Sequence, residues 1–175
     1  MSGFFRYVLS ARWMAGADVV AELLGLPEKM RVCDCMITGE GSFDEQTIRY
    51  NKTLGRLLQL VVLENLRRRE RGQAILGDVI VVCGRTSYRD AEEVRSVLID
   101  HMRVQKEYKS DDASLVAAVP RVHLLPLTPR HFTVPEALGN AGACVEKRIM
   151  WYVSGTEGDA PHVATTPARK CSAKL

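Results

Sequence analysis

The chain has 175 residues, of which 46% are hydrophobic and 26% charged, and its formal net charge is +3. These values are typical of one soluble globular domain. They do not favour a membrane protein, because no apolar run approaches the roughly 18 residues that a membrane span needs. The basic run from Arg67 to Arg71 is more typical of a solvated helix end than of a nucleic-acid-binding surface, because no aromatic stacking platform accompanies it.

The cysteines and histidines do not indicate a metal site. The five cysteines are odd in number and lie mostly in apolar segments, which is typical of reduced intracellular thiols. Cys33 and Cys35 are too close in sequence for a zinc knuckle, and the histidines at 101, 123, 131 and 162 show no ligand spacing with them. We therefore predict no structural metal.

Two helices are predicted before residue 27. Apolar residues recur every three or four positions over 4–14, as on one face of an amphipathic helix, and Arg6 and Arg12 interrupt any signal-peptide core. A second helix is predicted over 17–24, with Gly25 as its C-cap. Its predicted inner face is formed by Val20, Leu23 and Leu24.

An apolar run followed by a polar turn dominates the next segment. Residues 35–38 predict a buried strand of a parallel sheet, with Ile37 in the core. Gly39 and Gly41 permit a sharp turn that presents Glu40 outside the strand ladder. Ser42 and Glu45 fit a capping box, which would direct backbone N–H groups toward an anionic ligand.

The polar side chains behind this strand suit phosphoryl transfer. A carboxylate can hold Mg²⁺ or orient an acceptor hydroxyl, and a cation can stabilise charge on phosphoryl oxygens. The available groups are Glu40, Asp44, Gln46, Thr47 and Lys52. We expect Glu40, Asp44 and Lys52 to gather at the carboxyl edge of the sheet. The segment matches neither the dinucleotide-binding glycine pattern nor the Walker loop, so an ordinary capped and solvated turn remains an alternative at this point.

The rest of the chain alternates helices and strands. Helices are predicted from 53 to Gly72, over 91–105 with Asp90 and Glu93 as a capping box, and from Thr133 to about 152. Strands are predicted over 79–83, closed by Gly84, and over 121–127, whereas 106–114 is predicted as an exposed loop. The alternation predicts an α/β fold with a mainly parallel sheet of about three strands and helices on both faces.

The stretch ITGEGSFDEQT, followed by Lys52, resembles the signature of the bacterial-type glycerate kinases. That signature reads ITGEG, two variable residues, D-x-Q-T and then Gly-Lys, so this chain departs from it at Asn51. The resemblance covers roughly 10–153 and includes HFTVPEALGNAG at 131–142. Family members are more than twice as long, and their amino-terminal glycine-rich motifs are absent here. The resemblance therefore implies that 1–153 is the carboxyl-terminal part of a larger two-domain fold.

The resemblance implies ATP-dependent phosphorylation of D-glycerate at its 2-hydroxyl, with Mg²⁺ as a cofactor. Asp44 would orient or deprotonate the hydroxyl, Glu40 would bind the metal or a water, and Lys52 would contact phosphate, although Asp44 and Glu40 could exchange roles. Substrate or nucleotide contacts are expected at Gly39, Gly41, Gln46, Thr47 and Gly84. An inactive fragment or a non-enzymatic domain that keeps the motif is the alternative, and we expect the isolated chain to lack appreciable activity because in-line transfer needs groups on both sides of a cleft.

The composition changes after Val153 to Gly, Thr, Pro, Ala and Lys, which predicts a disordered tail over 154–175. Its last residues, Ala173-Lys174-Leu175, are a conservative variant of the S-K-L peroxisomal address. We therefore predict recognition by a peroxisomal import receptor and residence in a peroxisome or a related microbody such as the glycosome. A cytoplasmic location is the alternative.

Overall fold

The computed structural model describes residues 14–105, 111–128 and 133–154. Three strands lie in these ranges: β1 (Cys35–Phe43), β2 (Asp78–Thr86) and β3 (Arg121–Pro126). The helices described are α1 (Gly16–Leu23), α2 (Leu26–Met30), α3 (Glu45–Arg49), α4 (Thr53–Glu70), α5 (Ala91–Val104), α6 (Asp112–Ala118), α7 (Val134–Gly139) and α8 (Ala141–Ser154). The predicted tail, except Ser154, and the predicted helix over 4–14, except Met14, lie outside the described residues.

The strands form one parallel sheet in the order β1-β2-β3. Ile37 of β1 lies opposite Ile80 of β2, which lies opposite His123 of β3. Because parallel neighbours need a crossover between them, helices separate each strand from the next. The predicted α/β fold with three parallel strands is confirmed.

The main core lies between the sheet and helices α2 to α6. It is closed by apolar side chains from each of these elements and from alternate positions of the strands. Representative members are Met30, Ile48, Leu58, Val81, Leu98, Leu115 and Leu124, all at most 2% exposed. The long helix α4 contributes most to it, as its stripe of leucines and valines predicts, and Gly72 with φ 67° follows its last turn.

The opposite face of the sheet is covered only in part by the described helices. Arg148 of α8 donates from Nε to the carbonyl oxygen of Pro126 at 3.0 Å, and the Tyr152 ring meets the His123 ring edge at 5.5 Å between centroids. These contacts place α8 against β3. Ile37, on the distant strand β1, is 62% exposed, so the prediction that it is buried is wrong.

Helix α1 also turns a different face to the protein than its sequence predicts. Val20, Leu23 and Leu24 are exposed, whereas Ala21 is buried. Asp18 accepts two hydrogen bonds from the guanidinium of Arg56 on α4, at 2.7 and 3.2 Å. This bidentate pair fixes the side of the helix that faces α4, and the predicted apolar face lies away from it.

Four further elements differ from the predictions in their extent. Strands β1 and β2 continue beyond their apolar runs to Phe43 and Thr86, because main-chain pairing does not end where the apolar side chains end. Part of the predicted 106–114 loop is helix α6, which Asp111 caps by accepting from the N–H of Ser114. The predicted single carboxyl-terminal helix is two helices, separated at Asn140.

Glycine at position 55 lets α4 pack closely on α3. A Cβ there would overlap the carbonyl oxygen of Thr47 and lie 2.9 Å from the Cα of Ile48. We therefore expect Gly55→Ala to destabilise the fold by about 1–3 kcal/mol, as typical overpacking does, although alanine favours helix by about 1 kcal/mol. Urea unfolding measures this effect. Gly142→Ala in α8 is the control, because its Cβ would meet nothing within 4 Å, and equal stability of both variants would contradict the packing role.

Candidate active site

The carboxyl end of β1 brings the polar motif to the edge of the sheet. Glu40 lies within the ladder, opposite Cys83 of β2, so the prediction that it stands outside the ladder is wrong. The side chain of Glu40 is half-buried, whereas its neighbours Gly39 and Gly41 are exposed. Glu40 thus belongs to the face of the sheet that carries α3 and α4.

The glycines around Glu40 have two different structural roles. A Cβ at Gly39 would lie 2.6 Å from the carbonyl oxygen of Val82, and one at Gly84 would lie 2.6 Å from that of Gly41. Gly39 and Gly84 are therefore required for the close approach of β1 and β2. A Cβ at Gly41 would meet nothing within 4 Å, so packing within the described protein does not require glycine at this position.

Asp44 begins helix α3 as its N-cap. Its Oδ1 accepts from the backbone N–H of Thr47 at 3.0 Å and from the Thr47 hydroxyl at 3.2 Å. The Asp44 N–H lies 3.4 Å from the Thr47 hydroxyl oxygen and donates to it, which completes a capping box. The predicted box of Ser42 and Glu45 is wrong, since Ser42 is still in β1 and accepts from Arg85 Nε at 3.4 Å. The cap holds the Asp44 carboxylate in a fixed orientation at the end of the sheet.

A tight turn joins α3 to α4. The Lys52 N–H donates to the Thr47 carbonyl oxygen at 3.1 Å, and the Asn51 N–H donates to that of Ile48 at 3.2 Å. This pair of bonds is the Schellman motif, whose penultimate residue takes a left-handed conformation and is usually glycine, sometimes asparagine. Asn51 has φ 51°, the one positive φ at a non-glycine residue in the described ranges.

Lys52 follows this turn as the N-cap of α4, and its side chain reaches back to the acidic cluster of Glu40 and Asp44. Its Nζ lies 3.9 Å from Asp44 Oδ1. Lys52 and Asp44 both perturb the pKa of Glu40 electrostatically, with opposite signs. The structure therefore brings together Glu40, Asp44 and Lys52, as the sequence predicts.

The environment of Glu40 favours a bound cation. Its Oε2 is buried and has no hydrogen-bond partner within the described residues. Burial raises the pKa of Glu40 most, Lys52 lowers it, and Asp44 raises it. Burial and then Glu40 also raise the pKa of its strand partner Cys83, to about 11. An orphaned carboxylate oxygen of this kind fits a hard cation such as Mg²⁺.

The remaining predicted site residues divide by exposure. Gln46 is exposed on the first turn of α3, where a ligand could reach it. Thr47 is buried, and its hydroxyl is engaged by Asp44, so it holds the turn together. Gly84 lies in β2 beside the cluster and, as shown above, serves strand packing.

Sequence reasoning missed Tyr88, which lies behind the acidic cluster. The Tyr88 and Phe43 rings pack with centroids 4.9 Å apart, and the Tyr88 hydroxyl is buried without a hydrogen-bond partner in the described ranges. Burial and then the carboxylates of Glu45 and Asp44 raise the pKa of Tyr88. Nothing in the local pattern around Tyr88 distinguishes it from a loop residue, because the contact is made in three dimensions.

The described residues contain neither a metal site of three or more carboxylate, thiolate or imidazole ligands nor a membrane-spanning helix. No group of three or more His, Cys, Asp or Glu side chains in these ranges is placed to hold a metal ion. None of the described helices has both the length and the apolar character required to cross a bilayer. A cation at Glu40 would therefore need ligands beyond the carboxylates described here, such as phosphate oxygens and water.

A comparison with protein families decides which known group this arrangement represents. The family model described as "Glycerate kinase family" matches residues 1–122, which is more than half of the chain. The chain belongs to the glycerate kinase family. The match includes β1, β2 and all three clustered residues, and its range ends before 131–142. No curated protein and no solved structure gave a match.

Membership of the glycerate kinase family supports a kinase-type function for the chain. It confirms the family predicted from ITGEGSFDEQT and Lys52. The departure from the family signature at Asn51 is explained by its left-handed φ, a conformation that suits the glycine of the signature and is tolerated by asparagine. The α3–α4 turn of this chain therefore accepts asparagine at the position where the family signature has glycine.

The raised pKa of Glu40 predicts a pH-dependent effect of Glu40→Gln. An acid with a higher pKa in the folded state contributes stability that is fully present below its unfolded pKa, ordinarily 4.5, and is lost as the pH rises through the folded pKa. We therefore expect Glu40→Gln to raise the melting temperature relative to wild type at pH 7, in the absence of divalent cations, and to lose this advantage below about pH 4.5.

Thermal unfolding at a series of pH values measures the difference. Glu22→Gln, which removes an exposed carboxylate from α1, controls for the change in net charge. A melting temperature of Glu40→Gln that stays below wild type at pH 7, or a difference that does not change with pH, would contradict a raised pKa of Glu40.

Proposed function

We propose that this chain provides the part of the active site that carries Glu40, Asp44 and Lys52 in an enzyme that transfers the γ-phosphoryl group of ATP to the 2-hydroxyl of D-glycerate. The observation that carries the proposal is the convergence of Asp44, Lys52 and Glu40 at one end of the sheet in a member of the glycerate kinase family. Phosphoryl transfer depends mainly on positioning and electrostatic stabilisation, and this convergence offers both.

Asp44 is proposed to orient the acceptor hydroxyl and accept its proton. Both hydrogen bonds that the Asp44 carboxylate accepts in capping α3 engage Oδ1, so the carboxylate is held rigidly while its second oxygen is left for the substrate. A general base must lie within hydrogen-bond reach of the proton that it removes. The position of Asp44 at the sheet edge, between β1 and α3, suits this requirement.

Lys52 is proposed to contact the transferred phosphoryl group. Its ion pair with Asp44 is long, at 3.9 Å, and both side chains are partly exposed, so the pair contributes little to the stability of the fold. A phosphate oxygen can therefore compete with Asp44 for the Lys52 ammonium. Gln46, exposed on α3, would hydrogen-bond the substrate. Gly41 would let the nucleotide or the substrate approach the backbone closely.

Glu40 is proposed to hold Mg²⁺ through its buried Oε2. The donor type fits, because Mg²⁺ prefers oxygen ligands and is usually held by one or two carboxylates together with substrate phosphates. When bound, the ion would neutralise charge that develops on the phosphoryl oxygens. Deprotonated Glu40 is required for this role, so its raised pKa implies weaker cation binding at acidic pH.

Further groups from outside the 175 residues of this chain are proposed to complete the cleft. In-line transfer needs the nucleotide and the acceptor held from both sides. The candidate groups described here lie on one edge, around α3 and the start of α4. We therefore expect a full-length protein that contains this chain to be active, and the 175-residue chain alone to be inactive.

A coupled assay of ADP formation tests the proposed reaction. The full-length protein is supplied with MgATP and with D-glycerate, L-glycerate or no acceptor, and the 175-residue chain is assayed in parallel. ADP formation that depends on D-glycerate is expected only from the full-length protein. No D-glycerate-dependent turnover in the full-length protein would contradict the function and favour an inactive domain that keeps the motif, whereas turnover by the isolated chain would contradict the two-sided cleft.

We also propose that the tail directs the protein to a peroxisome or a related microbody. The terminal Ala173-Lys174-Leu175 differs conservatively from the S-K-L address. A fluorescent protein carrying residues 154–175 at its carboxyl end is expected to enter peroxisomes, and a matched fusion that lacks the last three residues is expected to remain cytosolic. Microscopy that shows both fusions in the cytosol would contradict the proposal.

A further inference from the structure

Asn51 is tied to two neighbouring helices by its side chain. Its Oδ1 accepts a hydrogen bond from Nε2 of Gln59 on α4 and lies 2.9 Å from Nε2 of His101 on α5. Gln59 is only 1% exposed. A glycine at position 51, as in the family signature, would adopt the same left-handed conformation and would make neither contact.

The anchor of Asn51 extends further into the fold through Gln59. The Oε1 of Gln59 accepts from Nη1 of Arg56 at 3.1 Å, and Arg56 makes the bidentate pair with Asp18 of α1. Side chains of α4 and α5 thus contact the turn that precedes Lys52, and Arg56 links this contact to α1. Buried polar groups that are mutually hydrogen-bonded restrict a segment to one arrangement.

We propose that Asn51, held by Gln59 and His101, is a positioning residue that fixes Lys52 toward the acidic cluster. The Lys52 peptide is held on one side by its N–H bond to the Thr47 carbonyl oxygen and on the other by the anchored Asn51. Its Nζ consequently lies beside Asp44. The inference rests on the proposed function, because it assigns Lys52 a phosphate to contact.

The proposal differs from a purely structural role in what it predicts. If the network only stabilised the fold, its loss would change the unfolding midpoint and leave the kinetics of the folded enzyme unchanged. If it positions Lys52, its loss must appear in the use of ATP, because small displacements of a positioned group are costly in phosphoryl transfer.

Steady-state kinetics of the full-length protein provide the first test. Asn51→Gly keeps the left-handed turn and removes Oδ1, and we expect it to lower kcat/KM for ATP by about tenfold. Asn51→Asp keeps an acceptor oxygen and tolerates the same conformation, so we expect it to stay within about twofold of wild type. Asn51→Gly with wild-type kcat/KM would overturn the proposal.

A double-mutant cycle shows whether Gln59 acts through Asn51. Gln59→Leu should lower kcat/KM for ATP in the wild-type background and have little further effect in the Asn51→Gly background, since coupled residues are non-additive. Fully additive losses would overturn the coupling. If Gln59→Leu does not fold, the comparison of Asn51→Gly with Asn51→Asp decides alone.

A readout without catalysis separates this proposal from the proposed function. In lysine-¹³Cε NMR spectra, with Lys52 assigned by the signal lost in Lys52→Arg, Asp44→Asn is expected to shift the Lys52 signal. The response should fall by at least about half in the Asn51→Gly background, because the Coulomb energy is inversely proportional to the separation of the two charges and a Lys52 side chain that is no longer held can move well away from Asp44. An unchanged response overturns the positioning role even in an active enzyme, whereas a reduced response supports it even if no D-glycerate turnover is found.

Discussion

Asp44→Asn is expected to lower kcat of the full-length protein with D-glycerate by about 10² or more while the fold stays intact. The lower end of this range is what loss of general-base assistance costs. The substitution removes the charge and the proton acceptor and preserves shape. Asparagine is as good an N-cap as aspartate, so α3 keeps its first hydrogen bonds with Thr47.

Circular dichroism and thermal unfolding should show that Asp44→Asn is folded. Asp90→Asn is the matched control, because Asp90 also caps a helix, by accepting from the Glu93 N–H at 2.9 Å, and is not part of the proposed cluster. The control should keep kcat within about twofold of wild type, as surface changes away from special features are mild. Equal kcat in Asp44→Asn and wild type would exclude Asp44 as base or orienting group.

Lys52→Met is expected to affect both nucleotide affinity and turnover. A phosphate contact acts before as well as during transfer, so KM for ATP should rise by about tenfold, which corresponds to roughly 1.4 kcal/mol. The value of kcat should fall by about 10², the typical cost of losing one group that stabilises transition-state charge. Lys52 is only the N-cap of α4 and is partly exposed, so stability should change little.

Steady-state kinetics at varied ATP and saturating D-glycerate measure both constants. Lys29→Met is the control, since it removes one exposed lysine from α2 and leaves the cluster unchanged. A loss in Lys52→Met confined to KM for D-glycerate would assign Lys52 to the acceptor instead of the phosphate. Unchanged kinetics would remove Lys52 from the site.

The sequence predicts the chemistry-bearing segment well because its order along the chain determines its place in the sheet. A strand followed by polar residues must present them at its carboxyl edge, and Asp44 and Lys52 accordingly lie there. The helices α4 and α5 were also predictable, since each has strong apolar periodicity and α5 has an aspartate cap.

What the sequence could not predict depends on contacts between distant segments. The exposure of Ile37 depends on how far α8 extends across the sheet, and the orientation of α1 depends on the Asp18–Arg56 pair. The strand pairing of Glu40 depends on its partner Cys83 in β2. The network around Asn51 joins residues up to 50 positions apart, so no local pattern indicates it.

Identification of the phosphorylated product tests the central claim most directly. The full-length protein, MgATP and D-glycerate are incubated together, and the product is identified by ³¹P and ¹H NMR, with Asp44→Asn as the comparison. The proposal predicts 2-phosphoglycerate and ADP in equal amounts from the wild-type protein and, from Asp44→Asn, formation of both at about a hundredth of the rate or less. Formation of ADP without any phosphoglycerate, or equal product formation by both proteins, would contradict it.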